Sequence, residues 1–301
     1  MKMKRFFIAG LLLMSGLTIV SAQVKLSFNP SKGAKYEYQT EMIQNIKQAF
    51  MGQEMQIETE MNFTYVMEIR DKTPQEAQVL VTYRDVAYIV SSPMMKMGYD
   101  SKNPIENPSE MDQMLAKMFS NLIGQSFMMV VAPDGSVNSV TGMDAISDNM
   151  IKAIADNGQM AMQMGASMRQ QFSDDAMKNT FEQSFKIYPA DAVKAGDSWN
   201  TESAMTVNNM NTSAKTKYTL KDVSRNMATV DVTSDIEMNA SMEMEGKLTG
   251  TQTGILIIDT RSGMTVTCDM SQNIKGTLKT QGIDVQMELV TKAKISTTEV
   301  K

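Results

Sequence analysis

The chain has 301 residues, no histidine, one cysteine and 32 methionines, with a formal net charge of −5. Without histidine there is no Ser-His-Asp triad, no Cys-His pair and no imidazole metal site. A lone cysteine excludes an internal disulfide and a Cys-rich zinc or iron–sulfur centre, and an acidic balance without a Lys/Arg cluster makes nucleic acid and anionic lipid surfaces poor partners.

Lys2, Lys4 and Arg5 precede an apolar stretch from Phe6 to Val20, and Val20-Ser21-Ala22 places small residues ahead of Gln23. A positive n-region, an apolar h-region and a small-residue cleavage site together predict an export signal over 1–22. No cysteine lies near that site, so a lipoprotein anchor is not expected. No other stretch approaches the roughly 18 continuous apolar residues of a membrane helix. The expectation is a soluble exported protein, periplasmic or secreted, not membrane-spanning after cleavage. Residues 23–301 read as a single β-rich domain, long enough to bury a substantial core.

Alternation dominates 23–100. Tyr36, Tyr38, Thr40, Met42, Gln44 and Ile46 oppose Lys35, Glu37, Gln39 and Glu41. After a turn near 51–53 the phase changes, and Met55, Ile57, Thr59, Met61, Phe63, Tyr65, Met67 and Ile69 share a face. This predicts a long antiparallel hairpin with one wet face. Asp71-Lys72-Thr73-Pro74 is the next turn and Ala77 to Val90 the next strand.

The period becomes helical over 109–185. Ser109 is an N-cap before Met111, Met114, Leu115, Met118, Phe119 and Leu122, with Gly124 as the stop. Pro133-Asp134-Gly135 turns a short hairpin. Ile146, Met150, Ile151 and Ile154 mark a second helix, and Met160, Met164, Met168 and Phe172, then Met177, Phe181 and Phe185, give two more apolar stripes.

Gly196-Asp197-Ser198-Trp199 reads as a turn into the second strand block, 199–301. There Ala228, Val230, Val232, Ile236, Met238, Ala240, Met242, Met244 and Leu248 alternate with polar residues, followed by strands through Cys268 and through Met287, all in unslipped register. A strand unbroken from Met227 to Gly250 would reach about 80 Å at about 3.3 Å per residue. A globule of this chain length is only about 50 Å across. The strand must therefore bend or break, with Gly246, Gly250 and Gly254 as corners. The predicted fold is mainly β with an α-helical insert: a strongly curved antiparallel sheet, half-barrel or barrel-like, with helices covering its concave side. An outer-membrane barrel needs aromatic girdles, and the chain is only 6% aromatic.

Methionine admits three readings: core filling, an adaptable apolar cavity, or Cu(I) ligation through thioethers. Met94-Met95-x-Met97, Met160-x-Met162-x-Met164 and Met242-x-Met244 have spacings that suit the third. Cys268 sits on an apolar strand face and reads as an inert thiol. The Glu-rich strand faces read as solvated surface rather than as a glycosidase pair.

Short motifs then carry a resemblance: Lys32-Gly33-Ala34-Lys35-Tyr36, Tyr99-Asp100-Ser101, Ile123-Gly124-Gln125-Ser126-Phe127, Asp134-Gly135-Ser136-Val137, Tyr188-Pro189 and Val193-Lys194-Ala195-Gly196-Asp197-Ser198-Trp199. The chain resembles a family of exported Bacteroidota-type proteins defined by a domain of unknown function. That resemblance implies export and fold unity and supplies no catalytic residue. The strand–helix–strand order is also similar, as architecture, to periplasmic lipoprotein carriers of the LolA type.

The expected function is non-enzymatic binding or carriage of an apolar ligand, a lipid or acyl chain, in the cell envelope. Met111, Met114, Met118, Met160, Met164, Met168 and Phe172 would be an adaptable lid, and Met42, Met61, Met242 and Met244 the floor. The alternative is an envelope structural or protein-interaction module with a filled core. No cofactor is expected.

Overall fold

A computed structural model of the protein describes residues 23–50, 53–207, 210–240, 244–280 and 282–300. The expected export signal, 1–22, lies outside the described residues. Strands β1 (Lys35–Phe50), β2 (Gln53–Lys72), β3 (Ala77–Ser92) and β4 (Met95–Asp100) lead into helix α1 (Glu110–Phe119). A hairpin of β5 (Ser126–Val131) and β6 (Val137–Thr141) separates it from α2 (Met143–Lys152), α3 (Gly158–Gln171) and α4 (Asp174–Phe185). Six further strands follow: β7 (Ser198–Val207), β8 (Met210–Ser224), β9 (Met227–Ala240), β10 (Met244–Asp259), β11 (Thr265–Thr280) and β12 (Ile283–Val300).

All twelve strands form one open, curved antiparallel sheet in the order β6-β5-β3-β2-β1-β12-β11-β10-β9-β8-β7, with β4 paired to β3 off that path. The long β1–β12 ladder, from Lys35↔Val300 to Ala49↔Gln286, joins the two strand blocks into a single sheet. The segment before β1 ties them again: Leu26 and Phe28 are buried, the Phe28 N–H donates to Pro133 O and that of Asn29 to Ser262 O, both at 2.8 Å.

The outer face is wet, as the alternation requires. Glu41 lies opposite Lys294 and Lys294 opposite Asp269, while Lys47, Glu288 and Lys275 form a second charged row. Such rows stabilise a sheet by a few tenths of a kcal/mol per pair, up to about 1 kcal/mol.

Two expectations need correction. The stretch from Met227 to Gly250 breaks, as its length requires, but between Ala240 and Met244 rather than at the glycine corners: β9 and β10 form a hairpin, with Met238 opposite Leu248. Nor is the register of the second block unslipped, since bulges lie at Leu220/Asp222 and Ile257/Ile258.

The glycine corners act inside β10 rather than between strands. At Gly250 a Cβ would sit 2.6 Å from Ile274 Cα, and at Gly254 3.1 Å from Met270 Cα. Gly276 on β11 is tight in the same way, 3.0 Å from Leu248 Cα. Backbones crowd on the inner side here, so the missing side chains are what let β10 and β11 curl around the concave face.

The helices form where their caps and stripes place them. Ser109 and Asp112 make a capping box on α1, and the Ser173 hydroxyl caps α4. Gly142 offers no side chain to cap α2, and Asp174 of α4 supplies the acceptor instead, 2.7 Å from the Met143 N–H. The apolar stripes pack directly on the sheet. Phe185 packs against Tyr38 and Phe28, Phe181 against Tyr65, and Phe119 against Tyr88.

Candidate functional site

Residues paired across adjacent antiparallel strands point to the same face, so the ladders define rungs across the concave side. The rung through Met42 contains Met61 and Tyr88 on one side and Ala293, Met270 and Gly254 on the other. Before that rung, towards Tyr38 and Tyr65, the face lies beneath the helices and is buried: Tyr38 is 3% exposed, Leu220 and Val230 0%. Beyond it the face emerges. Ile46, Ile57, Met287 and Leu289 are half-buried, and Met55 is 51% exposed.

Two separate clusters record this division. The main core contains the helical stripes and the covered half of the sheet. A second, smaller cluster of Met210, Ile236, Leu248, Ile274 and Leu278 lies farther along the same face on β8–β11, with Met287 and Leu289 of β12 packed against it. Met42 and Met61 belong to neither.

Between the clusters runs a polar rung: Thr59, Gln44, Thr291, Gln272, Gln252, Ser234, Thr216 and Thr201 across eight adjacent strands. The Gln44 amide donates to Thr291 Oγ1 at 3.3 Å, and the Thr216 and Ser234 hydroxyls are 2.9 Å apart. Among the described residues no side-chain partner bonds the amides of Gln252 or Gln272. No charged residue stands on the concave face of β1, β2 or β8–β12 between the rung of Tyr38 and that of Leu278, among the described residues. With rungs about 6.7 Å apart and strands about 4.8 Å apart, the face from Gln44 to Leu278 spans about 20 Å by about 29 Å.

The structure places the expected lid and floor unevenly. Met114 and Met118 are buried in the main core. Met111, Met164, Met168 and Phe172 are half-buried and pack against it. Met42 and Met61 face each other on the concave side at the edge of helix cover. Met242 and the side chains of Met160 and Met244 lie outside the described residues. A surface cavity of about 160 Å³ lies on the opposite face, among Gln39, Glu41, Asn62, Asp85 and Lys102, and touches none of these methionines. Ile46, Ile57, Met287, Leu289 and the glutamines of the polar rung were visible in the alternation. Nothing in the alternation says where along a strand the helices stop.

The thioether runs diverge. Met94 is 94% exposed at a turn while Met97 packs on the core. On α3 Met162 is 71% exposed and Met164 half-buried, as residues two apart on a helix must be. Burial, with the Asp269 carboxylate, pushes the Cys268 thiol up to about 12, far from a nucleophile's range. No group of three or more Asp, Glu or Cys that could hold a metal is found among the described residues.

Residues 75–265 match the model of a family of unknown function, DUF6263. The chain belongs to that family. No match exists among curated proteins. Among solved structures, a lipovitellin aligns at 11% identity and TM-score 0.42 over 90% of this chain and 25% of that one. The chain thus spans a quarter of the lipovitellin chain's length. An outer membrane channel from Pseudomonas putida F1 aligns at 8% identity and TM-score 0.24, over 89% of this chain and 96% of that one. A DUF1329 family protein from Desulfovibrio piger aligns at 10% and 0.17, over 89% and 85%. At such scores none of these likenesses bears on function.

Proposed function

We propose that this DUF6263 protein is an exported, non-enzymatic binder of an apolar ligand, a lipid or acyl chain, held on the concave face beyond the helices. One observation carries the reading: on β1, β2 and β12 that part of the face is free of charge and its apolar residues are half-exposed, whereas over β8–β11 it closes in the second buried cluster and nearer Tyr38 it joins the main core. Exposed apolar residues rimmed by polar ones are where a surface meets a ligand or partner. Burying an acyl chain there gains about 0.8 kcal/mol per methylene before the costs of association. Export rests on the signal-like pattern of the first 22 residues.

A filled-core interaction module is the second reading, favoured by Met114 and Met118, which are buried in the main core beneath α1. Titrating the folded mature protein with a fluorescent acyl lipid separates the two. Saturable binding near one per chain supports the first reading, and no binding favours the second.

A further inference from the structure

We propose that the ligand is a neutral acyl ester of the glyceride type, with its ester carbonyls at the polar rung and its chain along the half-exposed apolar residues of β1, β2 and β12 beyond, Ile46, Ile57, Met287 and Leu289. This rests on the apolar-ligand reading and narrows it to a ligand class. A purely hydrocarbon ligand would call for an apolar face throughout, yet Gln44, Gln252, Gln272, Thr291 and Ser234 form an unbroken uncharged line across it. Thr291 and Ser234 are buried and already bonded within the rung. The amides of Gln252 and Gln272, on neighbouring strands and directly opposite each other, are without side-chain partners among the described residues. Each offers N–H donors that match an ester carbonyl, which only accepts.

The absence of charge on the described face discriminates as strongly as the amides do. An ionised fatty-acid carboxylate at this level would meet no lysine or arginine, and an unpaired charge in a partly dry site is heavily disfavoured. A phosphate headgroup meets the same obstacle. A glyceride ester carries the needed carbonyls and no charge.

The test uses the folded mature chain and three probes at pH 8: dioleoylglycerol, oleate and octadecane, each quantified after gel filtration. The expected result is dioleoylglycerol bound at least about tenfold more tightly than oleate. Gln252→Leu with Gln272→Leu should weaken dioleoylglycerol binding about tenfold and leave octadecane binding intact, the scale of one or two lost hydrogen bonds. Should the double variant not fold, Gln252→Met alone carries the comparison. Equal binding of all three probes, oleate preferred, or dioleoylglycerol binding unchanged in the variant overturns the role of the rung while leaving apolar binding standing. A folded wild-type protein that takes up none of the three overturns the apolar-ligand reading itself.

Discussion

Met42 and Met61 stand directly opposite each other on β1 and β2, at the line where helix cover ends. Tyr88, the other neighbour of Met61, is packed under Phe119 of α1 at 5.3 Å, whereas the two methionines join neither packed cluster. Chemically identical side chains therefore do different work according to position along the strands. Met118→Ala, at 0% exposure, is expected to cost about 2–5 kcal/mol. Met61→Ala should cost under about 1 kcal/mol, because little packing is lost. Urea unfolding of the two variants measures the contrast, and equal costs would mean that the concave face is sealed along its whole length.

Curvature at β10 depends on missing side chains. Gly250→Ala would drive a Cβ into the backbone of β11, 2.6 Å from Ile274 Cα. Backbone cannot yield as a side chain can, so the expected loss is about 1–3 kcal/mol. Each kcal/mol should lower Tm by about 2–4 °C for a chain of this size. An alanine variant that melts like wild type would show that the sheet curls for another reason.

The same strands explain what could be read from the chain beforehand. The β1–β2 turn was legible because paired residues such as Met42 and Met61 are an odd number of positions apart, so the apolar phase jumps from even to odd. Met238 and Leu248 are an even number apart. The alternation runs through that hairpin undisturbed, so length alone called for a bend or break and its place was expected at the glycines instead of before Met244. Helix stripes and caps were legible because Ser109 and Ser173 announce their own helices. The face proposed to take a ligand was legible only as a pattern of apolar positions, since how far the helices reach along it is settled by tertiary packing.

Asp112 ties α1 to β4. Its carboxylate accepts from the Gly98 N–H at 2.7 Å and the Ser109 N–H at 2.8 Å. The Ser109 hydroxyl holds its pKa below the ordinary 3.8 against the opposing effect of burial. A depressed carboxylate stabilises the fold above its unfolded value, and that contribution is lost as pH falls below 3.8 through the folded value. Asp112→Asn should cost about 1–2 kcal/mol at pH 7 and flatten the acid limb of the stability curve below pH 4. An unchanged acid limb in urea melts from pH 2 to 7 would contradict this.

Cys268 is 6% exposed with its thiol raised to about 12. Iodoacetamide at pH 8 should leave the native protein unmodified over hours and alkylate it within minutes in urea, as read by intact mass. Rapid native labelling would mean that the sheet opens near β11.

The most direct measurement is acyl-lipid binding to the folded mature protein beside its Ile57→Asp, Met287→Asp double variant. Both positions are half-buried on the concave face, so the variant is expected to fold, which circular dichroism checks. Wild type should bind near one lipid per chain, and two carboxylates on that face should weaken binding at least tenfold. Equal binding by the two proteins would place the ligand elsewhere. A wild type that binds nothing would leave the filled-core interaction module standing.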